Sequence, residues 1–551
     1  MLILKSGNAA SFSKNSILRV NLISYKIRNK FLSLPGALQF VFTATRTCST
    51  LSDEWKDAKA FEDIPKIGAW KLLRNFLPGG KYRNLDSAQL MLAFKEDLGP
   101  IGLVKGVFGK ADAVLCHSPQ DFEKVYRNEG VWPTRPGMTV LYHYRNVLRP
   151  EIFQGVEGLS GTQGEKWGNF RTVVNPILMQ PRNVRVYFHK MSQVNREFIE
   201  RIQQIRDPQT HEVPENFEEE INRWTLESVS VVALDKQLGL ISKHRDNPQA
   251  KLLFKSLTEM FVYSMDLEIK PSIWKYYTTP TMKKAVRSLD QITEITKAYI
   301  EEAIARIENE SQNDLSNKSS EREKSVLEKL INVDKQTAMV MAMDMLMAGV
   351  DTTTSTFTGL LLCLAKNPDK QEKLRKEVCK LLPHKNSEFN EAVFKNMPYL
   401  KACIKESLRM YPLTLGNTRV PVNDIVLSGY RVPRGTQVLM ISTSLMRDEN
   451  HYPRANEFLP ERWLRPTEAG SHGECPNFLK PSSPFIYLPF GFGSRSFIGR
   501  RIVEMELEMG IARLIRNFYV DFKYPVDNAF RCVLINVPNI PLKFQFTDVE
   551  N

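Results

Sequence analysis

Along most of the chain, apolar residues recur at three- and four-residue intervals, and short Pro and Gly breaks interrupt them. That pattern predicts a mostly helical protein. Residues 215–235 pattern as an amphipathic helix, and residues 283–310 do the same. A longer apolar helix is expected from about Asp334 to Lys366. It should stop before Asn367-Pro368, because a residue preceding Pro is pushed out of the α region. The polar stretch Asn309–Ser325 has almost nothing to bury and is expected to be a mobile loop between helices. Extended pieces bounded by turn residues are few: Arg419-Val-Pro-Val, Val426-Leu-Ser-Gly-Tyr-Arg, Gln437-Val-Leu-Met-Ile and the tail 530–546. They predict a small β-sheet region. There is no internal repeat, and no run of 18 apolar residues, so no transmembrane helix is expected.

Composition changes this picture mainly at the N-terminus. With 42% hydrophobic and 25% charged residues, the chain belongs with globular proteins rather than disordered ones. A formal net charge of +13 invites a nucleic-acid partner. However, Lys5, Lys14, Arg19, Lys26, Arg28, Lys30 and Arg46 all precede the first acid, Asp53. Without those seven the balance falls to an ordinary +6. No arginine-rich groove motif or zinc-finger spacing is present, so no nucleic acid is expected. Residues 1–52, basic, rich in Ser and Thr and free of acids, read as a mitochondrial presequence of about 50 residues. The seven cysteines form no C-x-x-C pair, which suits a reducing compartment such as the matrix. Lys270-Pro-Ser-Ile-Trp-Lys-Tyr-Tyr mixes aromatic and basic side chains. It suits either the headgroup layer of a membrane or packing between helices.

Five segments carry candidate chemistry. The long helix is interrupted by Ala348-Gly349-Val350-Asp351-Thr352-Thr353. Gly costs about 1 kcal/mol in a helix interior, and Asp and Thr prefer caps. One reason for such a defect is a groove that admits a ligand, lined by a hydroxyl and a carboxylate; the other is two helices meeting at an Asp cap. Glu406-Ser-Leu-Arg409 places an acid and a base at i and i+3, where they can pair, and Pro460-Glu-Arg462-Trp can supply the same Glu with a second Arg. Trp167-Gly-Asn-Phe-Arg171 sets two donors one turn apart, suited to an anionic group such as a carboxylate. Phe490-Gly-Phe-Gly493-Ser-Arg495-Ser-Phe497-Ile-Gly499-Arg500-Arg501 is a glycine-rich loop entering a helix (Ile502 to Phe518), and its glycines let the backbone approach a flat ligand closely. It lacks the Lys-Ser/Thr of a phosphate loop.

In order and spacing these segments resemble the cytochrome P-450 haem-thiolate monooxygenases, from about residue 60 to the C-terminus. The resemblance implies a mainly α fold: one large helical domain over residues 51–551, with a small β-sheet region. It also implies a haem cofactor. Asp351 and Thr352 would form the catalytic proton-delivery pair, and Glu406, Arg409 and Arg462 a structural triad. Trp167, Arg171, Arg419 and Arg495 would hold the haem propionates, with Phe490, Gly493 and Gly499 in the haem loop. Within the family the chain looks like the mitochondrial type, particularly its insect members. That implies the matrix side of the inner membrane with peripheral membrane contact, and an apolar substrate: a xenobiotic, an insecticide or a steroid-like hormone. Lys401, Lys405, Arg500 and Arg501 match positions that dock an acidic mitochondrial ferredoxin, itself served by an NADPH-dependent reductase.

One position departs from the pattern. Two residues before Gly499 the family keeps the cysteine whose thiolate binds the iron, and here stands Phe497. A benzyl group has no lone pair, so haem binding is expected to be weakened or altered. Three readings stay open. The first is a variant or a sequence error, since a single base change turns Cys into Phe; the second is a pseudoenzyme that binds haem weakly, or an apolar ligand without oxidising it; the third is ligation by an unexpected residue.

Overall fold

The protein was examined as a computed structural model, which describes residues 53–106, 111–242, 247–269, 273–314, 323–465 and 481–550. In chain order the main helices are α1 (Ala69–Phe76), α2 (Ser87–Leu98), α3 (Pro119–Arg127), α4 (Thr139–His143), α5 (Gly164–Leu178), α6 (Phe188–Ile205) and α7 (Phe217–Ala233). They continue with α8 (Pro248–Ile269), α9 (Pro280–Asp314), α10 (Val326–Ile331), α11 (Lys335–Ala365), α12 (Pro368–Leu381), α13 (Pro398–Met410) and α14 (Arg500–Asn517).

Local chemistry fixes the helix ends that matter for the site. The Asp334 carboxylate caps α11 by accepting the Thr337 N–H at 2.7 Å. At the other end α11 stops at Ala365, and Pro368 opens α12 in the first turn, where its missing N–H costs nothing. Glu377 of α12 reaches across to the start of α13. It accepts the N–H groups of Tyr399 at 2.8 Å and Leu400 at 2.9 Å, donors that the helix cannot satisfy itself.

The core is organised around α11, which is buried along almost its whole length. α7 runs against it so closely that a Cβ on Gly349 would stand 2.9 Å from Val229 Cγ2. Trp224 of α7 fills the space beside Gly510 of α14 in the same way. Small residues therefore let three helices converge.

Four strands, β1 (Ile101–Val104), β2 (Ala113–Cys116), β3 (Gly416–Arg419) and β6 (Gln437–Ile441), make a sheet in the order β1-β2-β6-β3. β2 and β6 are parallel, and the other two pairs are antiparallel. Arg419 lies opposite Val438, which sets its side chain at the sheet's end. β4 (Ile425–Leu427) and β5 (Tyr430–Val432) form a hairpin whose turn, Ser428-Gly429, has positive φ at both residues, as a two-residue hairpin loop favours. β7 (Phe518–Asp521) pairs with β10 (Gln545–Asp548), and β8 (Phe530–Cys532) with β9 (Asn536–Pro538).

The expected mainly helical fold with a small sheet region is what the structure shows. Several details differ. The stretch Asn309–Ser325 is not simply a loop: α9 continues to Asp314, carried by helix-forming Glu and Gln, and Ser325 caps α10 in a capping box with Glu328. Residues 315–322 lie outside the described residues. The helix expected over 215–235 is Phe217–Ala233, and it is buried nearly all round rather than amphipathic. Its Glu227 tolerates burial because it accepts the N–H groups of Leu238, at 2.8 Å, and Leu240. β1 and β2 were not anticipated from the sequence. Residues 1–52, where the presequence was expected, lie outside the described residues. Among the described residues no helix is long and apolar enough to cross a membrane.

Candidate functional site

Between Thr337 and Ala365, α11 is buried except at Met345, Met347, Ala348, Asp351 and Thr352. These five residues keep accessible surface in the middle of a helix whose flanks are buried. Burial pushes the Asp351 carboxyl up to about 6, although the side chain keeps accessible surface. The Thr352 hydroxyl donates to the Ala348 carbonyl at 2.6 Å, one turn back, and its own carbonyl accepts from the Thr356 hydroxyl at 2.9 Å. The Thr353 hydroxyl is buried and has no hydrogen-bond partner among the described residues. Gly349 does not open a groove for a ligand, as one reading of the sequence allowed, because Val229 takes that space. Ala348 and Thr352, one turn apart, carry the open face instead.

Arg171, Arg419 and Arg495 come from three different elements and converge. Arg495 lies over the Trp167 ring, its Cζ 3.8 Å from the ring centroid. Its Nε donates to the Pro133 carbonyl at 2.8 Å, and one Nη donates to the Thr162 carbonyl at 2.9 Å and to Gln163 Oε1 at 2.8 Å. Arg171 donates to the Ser496 carbonyl at 2.8 Å. Arg419 donates from Nε to Glu129 at 2.5 Å and from Nη1 to the Thr418 carbonyl at 2.9 Å. Backbone carbonyls thus orient each guanidinium while leaving part of its fork of five N–H groups unused.

A fourth guanidinium, Arg135, belongs to the same cluster. The protein packed around it and then Arg419 lower its pKa, although the residue is exposed. Arg495 is pushed down to about 9 by burial and by Arg135, Arg419 and Arg171, with Glu129 opposing. Burial holds Glu129 above the ordinary carboxylate range, although Arg419 and Arg495 pull it down. Four guanidiniums against one carboxylate leave three positive charges close together. That is costly unless anions complete it.

The loop from Phe490 to Gly499 sits against this cluster. The Phe497 N–H donates to the Phe490 carbonyl at 2.8 Å, and the Ser496 N–H to the Gly493 carbonyl at 3.1 Å. Gly491 and Gly493 both have positive φ, 76° and 63°. The Phe497 ring lies parallel to Phe490, with centroids 6.4 Å apart, and fills the space in front of Gly499, where a Cβ would stand 2.9 Å from Phe497 Cζ.

Glu406 and Arg409 on α13 are fully buried, and Arg462 is almost so. One Glu406 oxygen accepts from Arg409 at 2.9 Å, Arg462 at 2.9 Å and the Leu459 N–H at 3.0 Å. The other accepts from Arg409 at 3.0 Å and the Trp463 indole at 2.8 Å. Arg409 also donates to the carbonyls of Met446, Ala455 and Glu457.

On the outer side of the loop lies a depression of about 580 Å³. Its lining includes Phe490, Lys401, Lys405, Arg500 and Arg501, with Arg185 and Lys395 adding further positive charge. Against these stand Glu391, Glu504 and Glu508, and burial pushes Glu508 up to about 8, which removes one negative charge near neutral pH. The Arg501 Nε donates to the Met179 carbonyl at 2.9 Å, and Arg500 bonds Glu504 at 2.8 Å.

The site therefore fits the two carboxylates of a porphyrin and fails at the iron. Phe497 offers no donor atom, no cysteine lines the depression beside it, and no cluster of His, Cys, Asp or Glu that could hold a metal occurs among the described residues. Cys475 lies outside those residues. Sequence reasoning missed Arg135, Glu129 and Gln163. Each sits in a loop, and the only signal was the basic residue in Thr134-Arg135-Pro136.

A family model described as Cytochrome P450 matches residues 69–544. Cytochrome P450 CYP12A2 of Musca domestica is 67% identical over 520 residues, covering 94% of this chain and 96% of that relative. Probable cytochrome P450 12a5, mitochondrial, of Drosophila melanogaster is 58% identical over 500 residues, covering 90% of this chain and 93% of that relative. Among solved structures, a retinoic acid-bound cyanobacterial CYP120A1 matches with a TM-score of 0.64 over 85% of this chain and 96% of that one. At 20% identity that likeness shows the fold alone. With the family model spanning most of its length, the chain belongs to the cytochrome P-450 family of haem monooxygenases.

Proposed function

We propose that this chain is built as a mitochondrial monooxygenase that places one oxygen atom from O2 into an apolar substrate, using electrons from a ferredoxin and its NADPH-dependent reductase. The observation that carries this reading is the convergence of Arg171, Arg419 and Arg495 on one another and on the 490–499 loop. In it the guanidiniums would hold the porphyrin carboxylates, with Trp167 the platform for Arg495 and Phe490, Gly493 and Gly499 shaping the haem loop. Bound haem would supply the dioxygen chemistry. Asp351, whose carboxyl burial raises to about 6, is the catalytic carboxyl that takes up and releases a proton, and the Thr352 hydroxyl is its neighbour on the helix. Glu406, Arg409 and Arg462 keep the floor rigid. The bases Lys401, Lys405, Arg500 and Arg501 share one depression, which favours an acidic protein as electron donor.

Relatives named mitochondrial and the acid-free leader support a place on the matrix side of the inner membrane. Two exposed apolar features favour peripheral membrane contact. On α1, Trp70, Leu73 and the adjoining Leu77 face outward among Lys66, Lys71 and Arg74. In the 270–277 segment the two candidate roles divide: Trp274 is buried and packs edge-on against His143, while Tyr276 and Tyr277 face outward.

Phe497 favours a second reading, a haem- or ligand-binding protein without thiolate chemistry. Adding carbon monoxide to the reduced, haem-loaded protein separates the two. The chain as it stands is expected to lack the thiolate-type Soret band, and Phe497→Cys to acquire it. A thiolate-type band from the unaltered chain overturns the assignment of Phe497 as the silent position. Failure of Phe497→Cys to acquire it favours the second reading.

A further inference from the structure

Glu129 stands just past the end of α3, where three pieces of the site meet. One of its oxygens accepts from Arg419 Nε at 2.5 Å, in a pair almost wholly withdrawn from solvent. The other lies so close to Gly493 that a Cβ there would overlap it. Its loop is laced to the segment after β3: the Val422 N–H donates to the Asn128 carbonyl at 3.0 Å, and the Val420 N–H to the Thr134 carbonyl at 3.2 Å. Arg419 rests over Tyr126, 5.5 Å from its centroid, and Tyr126 packs on Phe492. A single carboxylate therefore joins α3, β3 and the 490–499 loop, and among the described residues it is the acid that opposes the mutual repulsion at Arg495. Arg419 is held by that carboxylate rather than by solvent, so its remaining N–H groups have a fixed direction.

We propose that Glu129 is the internal counter-ion and positioning residue of the porphyrin cradle. It fixes Arg419 and sets the net charge with which the arginine cluster meets a dicarboxylate. This rests on the reading that the cluster receives the porphyrin carboxylates. The cradle carries three positive charges with Glu129 ionised and four without it. Replacing Glu129 should therefore strengthen the cradle's preference for a dianion over a neutral molecule of the same shape.

The test uses metal-free protoporphyrin and its dimethyl ester, so Phe497 plays no part. The full chain, purified from cells starved of haem precursor, is titrated with each by fluorescence. The unaltered protein is expected to bind the dicarboxylate more tightly than the ester, and increasingly so at low salt. Equal affinity for the two overturns the cradle reading itself. Glu129→Gln keeps a side-chain oxygen for Arg419 but removes the charge, and should raise the dicarboxylate-to-ester preference on the order of tenfold. Glu129→Asp, which keeps the charge, should leave that ratio near the unaltered value even if both affinities fall. If Glu129→Gln weakens both ligands equally, or leaves the ratio unchanged, Glu129 is only a packing residue and the proposal fails. Should Glu129→Gln not fold alone, Arg419→Gln, which leaves two positive charges, should lower the ratio, and Arg419→Gln with Glu129→Gln, which leaves three, should restore it; equal ratios in those two variants overturn the proposal.

Discussion

Glu406→Gln is the substitution whose cost the structure defines best. The change keeps shape and volume and removes one buried charge that two guanidiniums share. The Gln oxygen can still accept from Arg409, Arg462 and the Leu459 N–H. Its NH2 then faces the second Arg409 donor and the Trp463 indole, donor against donor. Two charge-assisted bonds, from Arg409 and from the Trp463 indole, at about 1.5–3 kcal/mol each at most, are lost. The buried charge that Arg409 and Arg462 share is lost as well, so the total should reach about 3–5 kcal/mol, the usual cost of breaking a buried ion pair. Urea unfolding followed by far-ultraviolet circular dichroism measures it without haem. Arg462→Met and the double variant complete a cycle, in which a coupling on the order of 2 kcal/mol is expected between groups in direct contact. A loss below about 1 kcal/mol, or additivity of the two changes to within about 0.5 kcal/mol, would refute the shared-charge account.

Other outcomes follow from the same geometry. Charge reversal at Lys401 and Lys405 should weaken binding of an acidic ferredoxin at least tenfold at low salt, on the order of 1.4 kcal/mol, and the loss should shrink as salt rises; calorimetric titration at two ionic strengths reads both. Trp70→Glu with Leu73→Glu should cut co-sedimentation with vesicles containing anionic lipid more than Tyr276→Ser with Tyr277→Ser does, because α1 alone joins a one-sided apolar stripe to a basic flank. Glu508 is protonated in the folded protein up to about pH 8, whereas an unfolded Glu releases its proton near its ordinary value of 4.5. The unfolded state therefore binds fewer protons in that window, and stability falls as pH rises through it. Glu508→Gln should flatten the decline, and melting temperatures between pH 5 and 9 that still fall in parallel for both proteins count against the assignment.

What the sequence revealed depended on how local each signal was. The ends of α11 were legible because Asp334 and Asn367-Pro368 act within one turn. Glu406 and Arg409 were legible because i and i+3 share a helix face, although nothing local told of the three carbonyls that also hold Arg409. Gly349 misled, since a glycine that admits a ligand and one that admits Val229 look identical in sequence. β1 and β2 were missed because a buried four-residue apolar run carries no period of its own. Glu129 and Arg135 lie far along the chain from Arg419 and Arg495, and the paired segments at 128–134 and 420–422, with the Arg495 bond to the Pro133 carbonyl, bring them together. Charge balance in a cluster of that kind cannot be read before the chain is folded.

The departure at Phe497 is local for the same reason that the loop around it is rigid. The turn is built by the Phe497 N–H on the Phe490 carbonyl, the Ser496 N–H on the Gly493 carbonyl, and positive φ at Gly491 and Gly493. None of these uses the side chain at 497. The Arg171 bond to the Ser496 carbonyl ties the same turn to α5 through backbone alone. A residue at 497 can therefore change from a thiol to a ring without moving the cradle, provided the ring finds room, and it finds that room in front of Gly499 and beside Phe490. Iron ligation and cradle shape are thus separable properties of this loop. One rests on a single atom beyond Cβ, and the other on glycines and main-chain hydrogen bonds that the substitution leaves in place.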